Sequence, residues 1–156
     1  MSATGIGYDC HQLAAGRRLV LGGVEIPHER GLAGHSDADV LVHAIIDALL
    51  GAAAMGDIGE HFPDTDERYR DVSSIELLRD VVRKLADRGL EIGNVDATVV
   101  IERPKLAPAR ERIRATLAAA LELPLERVSV KATRGEGMGF VGREEGVAAL
   151  AVATLR

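Results

Sequence analysis

The segment VAALAVATL, residues 147–155, is apolar at every position but Thr154. A strand of this composition cannot turn one face to water. It needs cover on both, by helices on one side and by another subunit on the other. Just before it, residues 135–146 hold five glycines without periodicity. Before those, Val128, Val130 and Ala132 alternate with Ser129, Lys131 and Thr133, a second strand, and Val95, Ala97, Val99 and Ile101 alternate with Asp96, Thr98 and Glu102, a third, which ends at Pro104. A helix over about Pro108–Glu122 separates these two. The N-terminal stretch TGIGYDCHQ, residues 4–12, is a fourth strand, with Ile6, Tyr8 and Cys10 facing one way and Gly5, Gly7, Asp9 and His11 the other.

Between these strands lie a hairpin, a loop and two helices. Arg18–Ile26, broken by Gly22-Gly23, reads as the hairpin, and Pro27–Ser36 as the loop. The first helix has the core stripe Leu41, Ile45, Ala48, Leu49 and Ala52, an N-cap at Ser36 or Asp37, and a stop at Gly56. Asp39, His43 and Asp47 occupy its opposite face. Ser73 with Glu76 forms a capping box that opens the second helix, whose apolar residues Leu77, Leu78, Val81, Val82 and Leu85 lead to Gly89. This helix reads as purely structural. Residues 55–72, with Gly56, Gly59 and Pro63, read as a long loop. The order of elements predicts an α+β fold, with a mostly four-stranded mixed sheet, helices on one face and a short hairpin. At 156 residues a single domain over 1–156 is expected.

Composition excludes several functions. The net charge is −5, with 24 acidic and 19 basic residues and no basic block, so nucleic acid is not an expected partner. No apolar run is long enough for a membrane span, and the first residues lack the charged-then-apolar pattern of a signal peptide, so a cytoplasmic location is expected. The lone Cys10 rules out an internal disulfide and Cys-rich zinc sites, leaving His and carboxylates for any metal. Aromatic residues make up 3%, too few for a base-stacking surface.

Asp9 and His11 project from the same face of a strand, and His43 on the nearby helix can supply a third ligand. Three such ligands with a fourth position open describe a catalytic zinc. Asp39 and Asp47, four residues either side of His43, are candidate orienters of its ring. The spacing alone equally suits an ordinary hydrogen-bonded histidine. His35-Ser36-Asp37 precedes a helix, where free N–H groups favour phosphate or simply receive a cap. Asp57, Gly59, Asp64 and Asp66 suit either substrate hydroxyls or turns. Lys131, Thr133, Arg134, Glu136 and Arg143 surround the glycines of 135–146, where backbone can approach a diphosphate closely and Glu136 can hold Mg²⁺. Taken together, these features point to chemistry at phosphorus.

The chain resembles the 2-C-methyl-D-erythritol 2,4-cyclodiphosphate synthase family, and the matches are collinear over nearly its whole length. They begin with Gly7-Tyr8-Asp9-Cys10-His11 and the Gly-Gly hairpin of Leu19–Pro27. They continue through His35-Ser36-Asp37-Ala38-Asp39-Val40 with His43, Asp47-Ala48-Leu49-Leu50-Gly51, Gly56-Asp57-Ile58-Gly59 and Phe62-Pro63-Asp64-Thr65-Asp66. Gly93-Asn94-Val95-Asp96, Pro104-Lys105, Val130-Lys131-Ala132-Thr133 and Gly139-Phe140-x-Gly142-Arg143-x-Glu145-Gly146 complete the series.

The resemblance implies a homotrimer with its sheets facing the three-fold axis and active sites between subunits. It implies Zn²⁺ on Asp9, His11 and His43, and Mg²⁺ or Mn²⁺ with the substrate diphosphate on Glu136. His35, Thr133 and Glu136 become catalytic residues, His35 and Ser36 meet the substrate phosphates, and Asp9 and His11 count among the substrate-binding residues. Asp57 and Gly59 take the ribose hydroxyls and Asp64 holds the erythritol portion, with Ile58, Phe62 and Asp66 among the other substrate-binding residues. Ile101, Pro104, Lys105, Leu106 and Ala107 of a neighbouring subunit form the cytosine pocket, and Thr133, Arg134, Gly135 and Glu136 the diphosphate loop. In some family members Phe140, Arg143 and Glu145 line an axial cavity that holds an isoprenoid diphosphate. The implied reaction converts 4-diphosphocytidyl-2-C-methyl-D-erythritol 2-phosphate to the cyclodiphosphate plus CMP, in non-mevalonate isoprenoid biosynthesis.

Two stretches depart from the family pattern: Arg134-Gly135, where Thr and then Thr or Asn are usual, and Ile101-Glu102, where a small residue and Gln are common. Two other activities fit some of the same residues, a zinc-dependent phosphate-ester hydrolase and a noncatalytic trimeric carrier of isoprenoid diphosphates.

Overall fold

The structure, a computed structural model, describes residues 2–156; Met1 lies outside them. In chain order the elements are β1 (Ala3–Ala15), β2 (Leu19–Leu21), β3 (Val24–Ile26), β4 (Arg30–Leu32), α1 (Val40–Ala52), a short α2 (Ile58–His61), α3 (Ser74–Asp87), β5 (Ile92–Val100), α4 (Arg110–Leu121), β6 (Val128–Thr133), a short α5 (Gly139–Gly142) and β7 (Gly146–Leu155). Four of the strands are those the alternation predicts. With β4 they form a sheet in the order β4-β1-β7-β5-β6. β7 runs antiparallel to both β1 and β5, and β5 is parallel to β6, as a crossover through α4 requires.

The sheet therefore has five strands, not four. The addition is β4, three residues inside the segment expected to be a loop. β1 runs on past Gln12, and Leu13, Ala14 and Ala15 pair with Leu32, Gly31 and Arg30. Three residues with a central glycine carry no readable period, so this strand forms only because β1 offers it an edge.

Helices cover one face of the sheet. β7 buries Val147, Ala149, Ala151, Ala153 and Leu155 on that side. The opposite face of β1 and β7 is open within the chain: Ile6 lies opposite Val152 and Tyr8 opposite Leu150, and the four are 70, 40, 54 and 39% exposed.

α1 is the central helix, and its environment differs from the one-stripe expectation. Val40 to Ile46 are all buried, His43 among them, because the helix touches β1 and β7 on one side and α3 and β2 on others. Its distance from β1 is set by backbone. A Cβ on Gly5 would overlap the carbonyl oxygen of Ala48, and one on Gly7 that of Ala44.

The N-cap of α1 is Asp39 rather than Ser36 or Asp37. Ala38 adopts a left-handed φ of 57°, which delays the helix start. The Asp39 carboxylate accepts from Val42 N at 3.1 Å, and also from Gly22 N at 2.9 Å and Gly23 N at 2.7 Å in the β2–β3 turn. Both turn glycines have positive φ, the backbone a two-residue hairpin turn needs. One buried carboxylate thus ties the hairpin to the helix. Burial, with the charge of Asp37, raises its pKa to about 6 against the opposing effect of the three N–H donors.

α1 ends at Ala52, before Gly56, because Ala54 takes the left-handed turn. The loop over 55–72 contains α2 and a single 3₁₀ turn at Glu67–Tyr69. The Ser73–Glu76 capping box does not form: Ser73 makes no side-chain cap bond, and Glu76 pairs with Arg79.

Candidate metal centre and the surrounding clefts

Asp9 and His11 follow Gly5 and Gly7 on the same face of β1, the face turned to α1. The close approach of Ala44 to Gly7 brings its neighbour His43 against them. The Asp9 Oδ2–His11 Nε2 distance is 2.9 Å, Asp9 Oδ2–His43 Nδ1 is 3.1 Å, and His11 Nε2–His43 Nδ1 is 3.2 Å. These atoms can hold a metal ion.

Two observations test the fit. Ligand atoms around a tetrahedral zinc lie about 3.4 Å apart, as bond lengths near 2.1 Å dictate, within a few tenths of an ångström of the spacings found. And His11 Nδ1 lies 2.9 Å from Ala33 O. A carbonyl only accepts, so Nδ1 carries the ring proton and Nε2 presents a lone pair to the cluster. The residues fit a cation.

The same geometry governs protonation without one. Burial works to raise the Asp9 pKa, but the hydrogen bonds and charges of His11 and His43 prevail and lower it to about 2. Burial works to lower His11, and the bond and charge of Asp9 prevail and raise it.

Neither expected orienter of the His43 ring serves it. Asp39 caps the helix, and Asp47 accepts from Ile58 N at 2.8 Å. The outer nitrogen of His43 faces Ser74 Oγ at 2.8 Å and Ser36 Oγ at 3.3 Å instead. Ser74 belongs to the helix read as purely structural, and no sequence signal marked it. Arg17 was also missed. Its guanidinium donates to Leu32 O at 2.9 Å, Gly34 O at 3.3 Å and Ser36 O at 3.0 Å, and so holds the segment bearing His35 and Ser36.

The cluster opens into a cleft of about 440 Å³ that also receives His35, Ser36, Ile58, Gly59, Phe62 and Asp64. His35 Nε2 donates to Asp66 O at 3.0 Å, linking this wall to the 55–72 segment. Asp57 and Asp66 are not on the cleft wall. Asp57 caps α2 through Glu60 N, and the Asp66 carboxylate pairs with Arg68.

A separate cleft of about 170 Å³ is lined by Ile101, Pro104, Lys105, Leu106, Ala107, Thr133 and Arg134, with Glu102 and Arg110. Here the two departures from the family pattern meet each other. Arg134 donates to Glu102 Oε1 at 2.8 Å, and Gly135 N donates to Glu102 Oε2 at 2.8 Å. Glu136 follows, exposed and with a left-handed φ of 53°. Phe140 and Arg143, with Glu145, line a third cavity, of about 720 Å³, whose wall includes His11. Among the described residues, no helix is long and apolar enough to cross a membrane.

The model of the YgbB family matches residues 2–156. A 2-C-methyl-D-erythritol 2,4-cyclodiphosphate synthase of Salinibacter ruber is 60% identical over 152 residues, 97% of each chain. Among solved structures, a 2C-methyl-D-erythritol-2,4-cyclodiphosphate synthase in a CDP-bound form superposes with a TM-score of 0.90 at 38% identity, covering 98% of this chain and 99% of that one. The bifunctional IspDF from Campylobacter jejuni gives 0.96 at 42% identity, covering 99% of this chain and 42% of that one. Matched along its full described length by one family model, and by relatives and structures of the same kind, this chain belongs to the YgbB family.

Proposed function

We propose that this chain is a 2-C-methyl-D-erythritol 2,4-cyclodiphosphate synthase acting as a single domain over 1–156 in the cytoplasm. It takes 4-diphosphocytidyl-2-C-methyl-D-erythritol 2-phosphate and forms a bond from an oxygen of the 2-phosphate to the β-phosphorus. The bond from that phosphorus to the bridging oxygen breaks, and CMP leaves with the electron pair. No side-chain nucleophile is needed. The observation that carries this reading is the convergence of Asp9, His11 and His43 beside His35 and Ser36 in one cleft, in a chain so similar to synthases of that name.

Asp9, His11 and His43 would hold Zn²⁺ and Glu136 would hold Mg²⁺ or Mn²⁺. Together these ions would neutralise and orient the diphosphate. The chain's own groups do the rest. His35 and Ser36 bind phosphate oxygens, Asp64 the erythritol hydroxyls, and Asp57 and Gly59 the ribose. Ile58, Phe62, Tyr69 and Leu77 give the cleft an apolar wall that limits water, the competing nucleophile, and confines the flexible erythritol chain near its attacking geometry.

The cytosine end is assigned to Ile101–Ala107 and the diphosphate loop to Thr133, Arg134, Gly135 and Glu136. Within one chain the first of these lines a different cleft from the metal cluster, so a neighbouring copy completes the site. The exposed Ile6, Tyr8, Leu150 and Val152 supply the contact face of a homotrimer with its sheets toward the axis, and the cavity at Phe140, Arg143 and Glu145 suits an isoprenoid diphosphate there. The test is incubation of purified protein with substrate and divalent metals, followed by phosphorus NMR. Cyclodiphosphate with CMP is the expected result; inorganic phosphate instead would mean hydrolysis.

A further inference from the structure

The two imidazoles of the cluster are oriented by different means. His11 has a backbone carbonyl behind it, whereas His43 has hydroxyls, Ser74 Oγ at 2.8 Å and the more distant Ser36 Oγ at 3.3 Å, and a hydroxyl can either donate or accept. Which it does decides where the ring proton of His43 sits.

Ser74 is the first residue of α3 and is fully buried. Its hydroxyl has one proton. That proton goes to Asp37 Oδ1, because an ionised carboxylate oxygen only accepts. The backbone N–H of Ser74 donates to the other oxygen, Asp37 Oδ2, at 2.9 Å. With both donors of Ser74 directed at Asp37, the hydroxyl oxygen can only accept from His43 Nε2, 2.8 Å away. Nε2 therefore carries the proton of the neutral ring. Nδ1, which faces Asp9 and His11, is left with a bare lone pair. Neither residue is a helix cap, since Asp39 rather than Asp37 caps α1 and Ser73 rather than Ser74 stands at the cap of α3; Asp37 Oδ1 also accepts from Asp39 N at 3.1 Å.

We propose that Ser74 and Asp37 are positioning residues for the metal ligand His43, a carboxylate–hydroxyl–imidazole chain that fixes the ring's tautomer and presents Nδ1 to the cation. This rests on the reading of Asp9, His11 and His43 as a metal site. Orienting partners of this kind typically change metal affinity by about 10–100-fold. Asp37→Asn acts at a distance: an amide has one acceptor oxygen for the three donors that meet this carboxylate, Asp39 N and the two of Ser74, so its NH₂ turns the hydroxyl proton toward His43 and favours the wrong tautomer.

The experiment uses the full chain, metal-free and at alkaline pH, with nitrogen-15 NMR of the histidine rings and zinc affinity by chelator competition. His43 in the wild type should carry its proton on Nε2. Ser74→Ala and Asp37→Asn should bind zinc about 10–100-fold more weakly while keeping the wild-type circular dichroism, and Ser74→Thr, which restores the hydroxyl, should recover most of the affinity. A proton on Nδ1 in the wild type, or unchanged affinity in Ser74→Ala and Asp37→Asn while His43→Ala loses zinc, overturns the chain but leaves the metal site standing. Undiminished zinc binding by His43→Ala would remove the metal reading itself. The wild-type ring assignment needs no substitution, so it decides the matter even if a variant does not fold.

Discussion

Around Asp9, His11 and His43, the outer nitrogen of each ring is met by a partner from the same chain, Ala33 O for one and Ser74 Oγ for the other. The cleft at Ile101–Ala107 is organised by ion pairs at the surface. Arg134 meets Glu102, and Arg103 meets Glu144 at 2.8 Å, with the two arginine side chains 58 and 63% exposed. The difference follows from what each region has to hold. Ligands of a cation must be placed to a few tenths of an ångström, which side chains held by hydrogen bonds from their own chain achieve. The nucleotide end of a substrate can be closed over by a neighbouring subunit, and a screened surface pair is adequate until then.

The largest effect should come from the strand–helix contact that builds the first region. Gly7→Ala forces a methyl into the Ala44 carbonyl, so stability should drop by about 3 kcal/mol or more, a melting point lower by roughly 10 °C, with zinc binding lost alongside. A variant that melts like the wild type and still binds metal would break the account of how the region is assembled. Next, His43→Ala should reduce bound zinc and turnover to background together while circular dichroism still reports a fold. Full turnover by a metal-free protein would sink the proposed mechanism.

The third test separates, by pH, a buried carboxylate with no cationic partner from carboxylates paired with arginine. Asp39 has its folded pKa raised to about 6 from an ordinary value of 3.8, so between these values the folded state binds the proton more tightly than the unfolded chain. Its contribution to stability therefore rises as pH falls from about 7 to 5. Relative to Asp39→Asn, the wild type should gain about 1 kcal/mol over that interval in urea unfolding, and parallel curves would refute the assignment. Glu102 and Glu144 have lowered pKa values through their arginine partners, so their contribution is already in place across that interval, and neutralising either should leave the pH dependence there nearly unchanged. The smallest effect belongs to the second region. Arg134→Ala should raise the KM for the cytidine-linked substrate a few-fold, with zinc affinity and melting point unchanged. A loss of zinc there would mean that the two regions are not separate.

The long strands were legible because the alternation of residues 4–12, 95–101 and 128–133 reports which face is buried. The collinear motifs named the three ligand residues for a related reason, since each sits at a regular position on β1 or α1. What escaped was decided by contacts distant in sequence or by single backbone angles. β4 exists only through its pairing with Leu13–Ala15, and the left-handed turn at Ala38 moves the cap of α1 to Asp39. Ser74 reads as an ordinary first-turn serine until α3 is docked with Asp37 on one side and His43 on the other. The departures at Glu102 and Arg134 look independent along the chain, 32 residues apart, and turn out to be one hydrogen-bonded pair.

The glycine contacts of β1 with α1 have a consequence for how the family can vary. Main chain rests on main chain at Gly5 and Gly7, so this spacing works as a fixed gauge that side-chain exchange elsewhere does not reset. Leu78, Val81 or Leu85 in the outer helix can be traded for residues of similar bulk, shifting α3 slightly, without altering the gap in which Asp9, His11 and His43 converge. Sequence drift is thereby permitted in the covering layer and forbidden at two small residues.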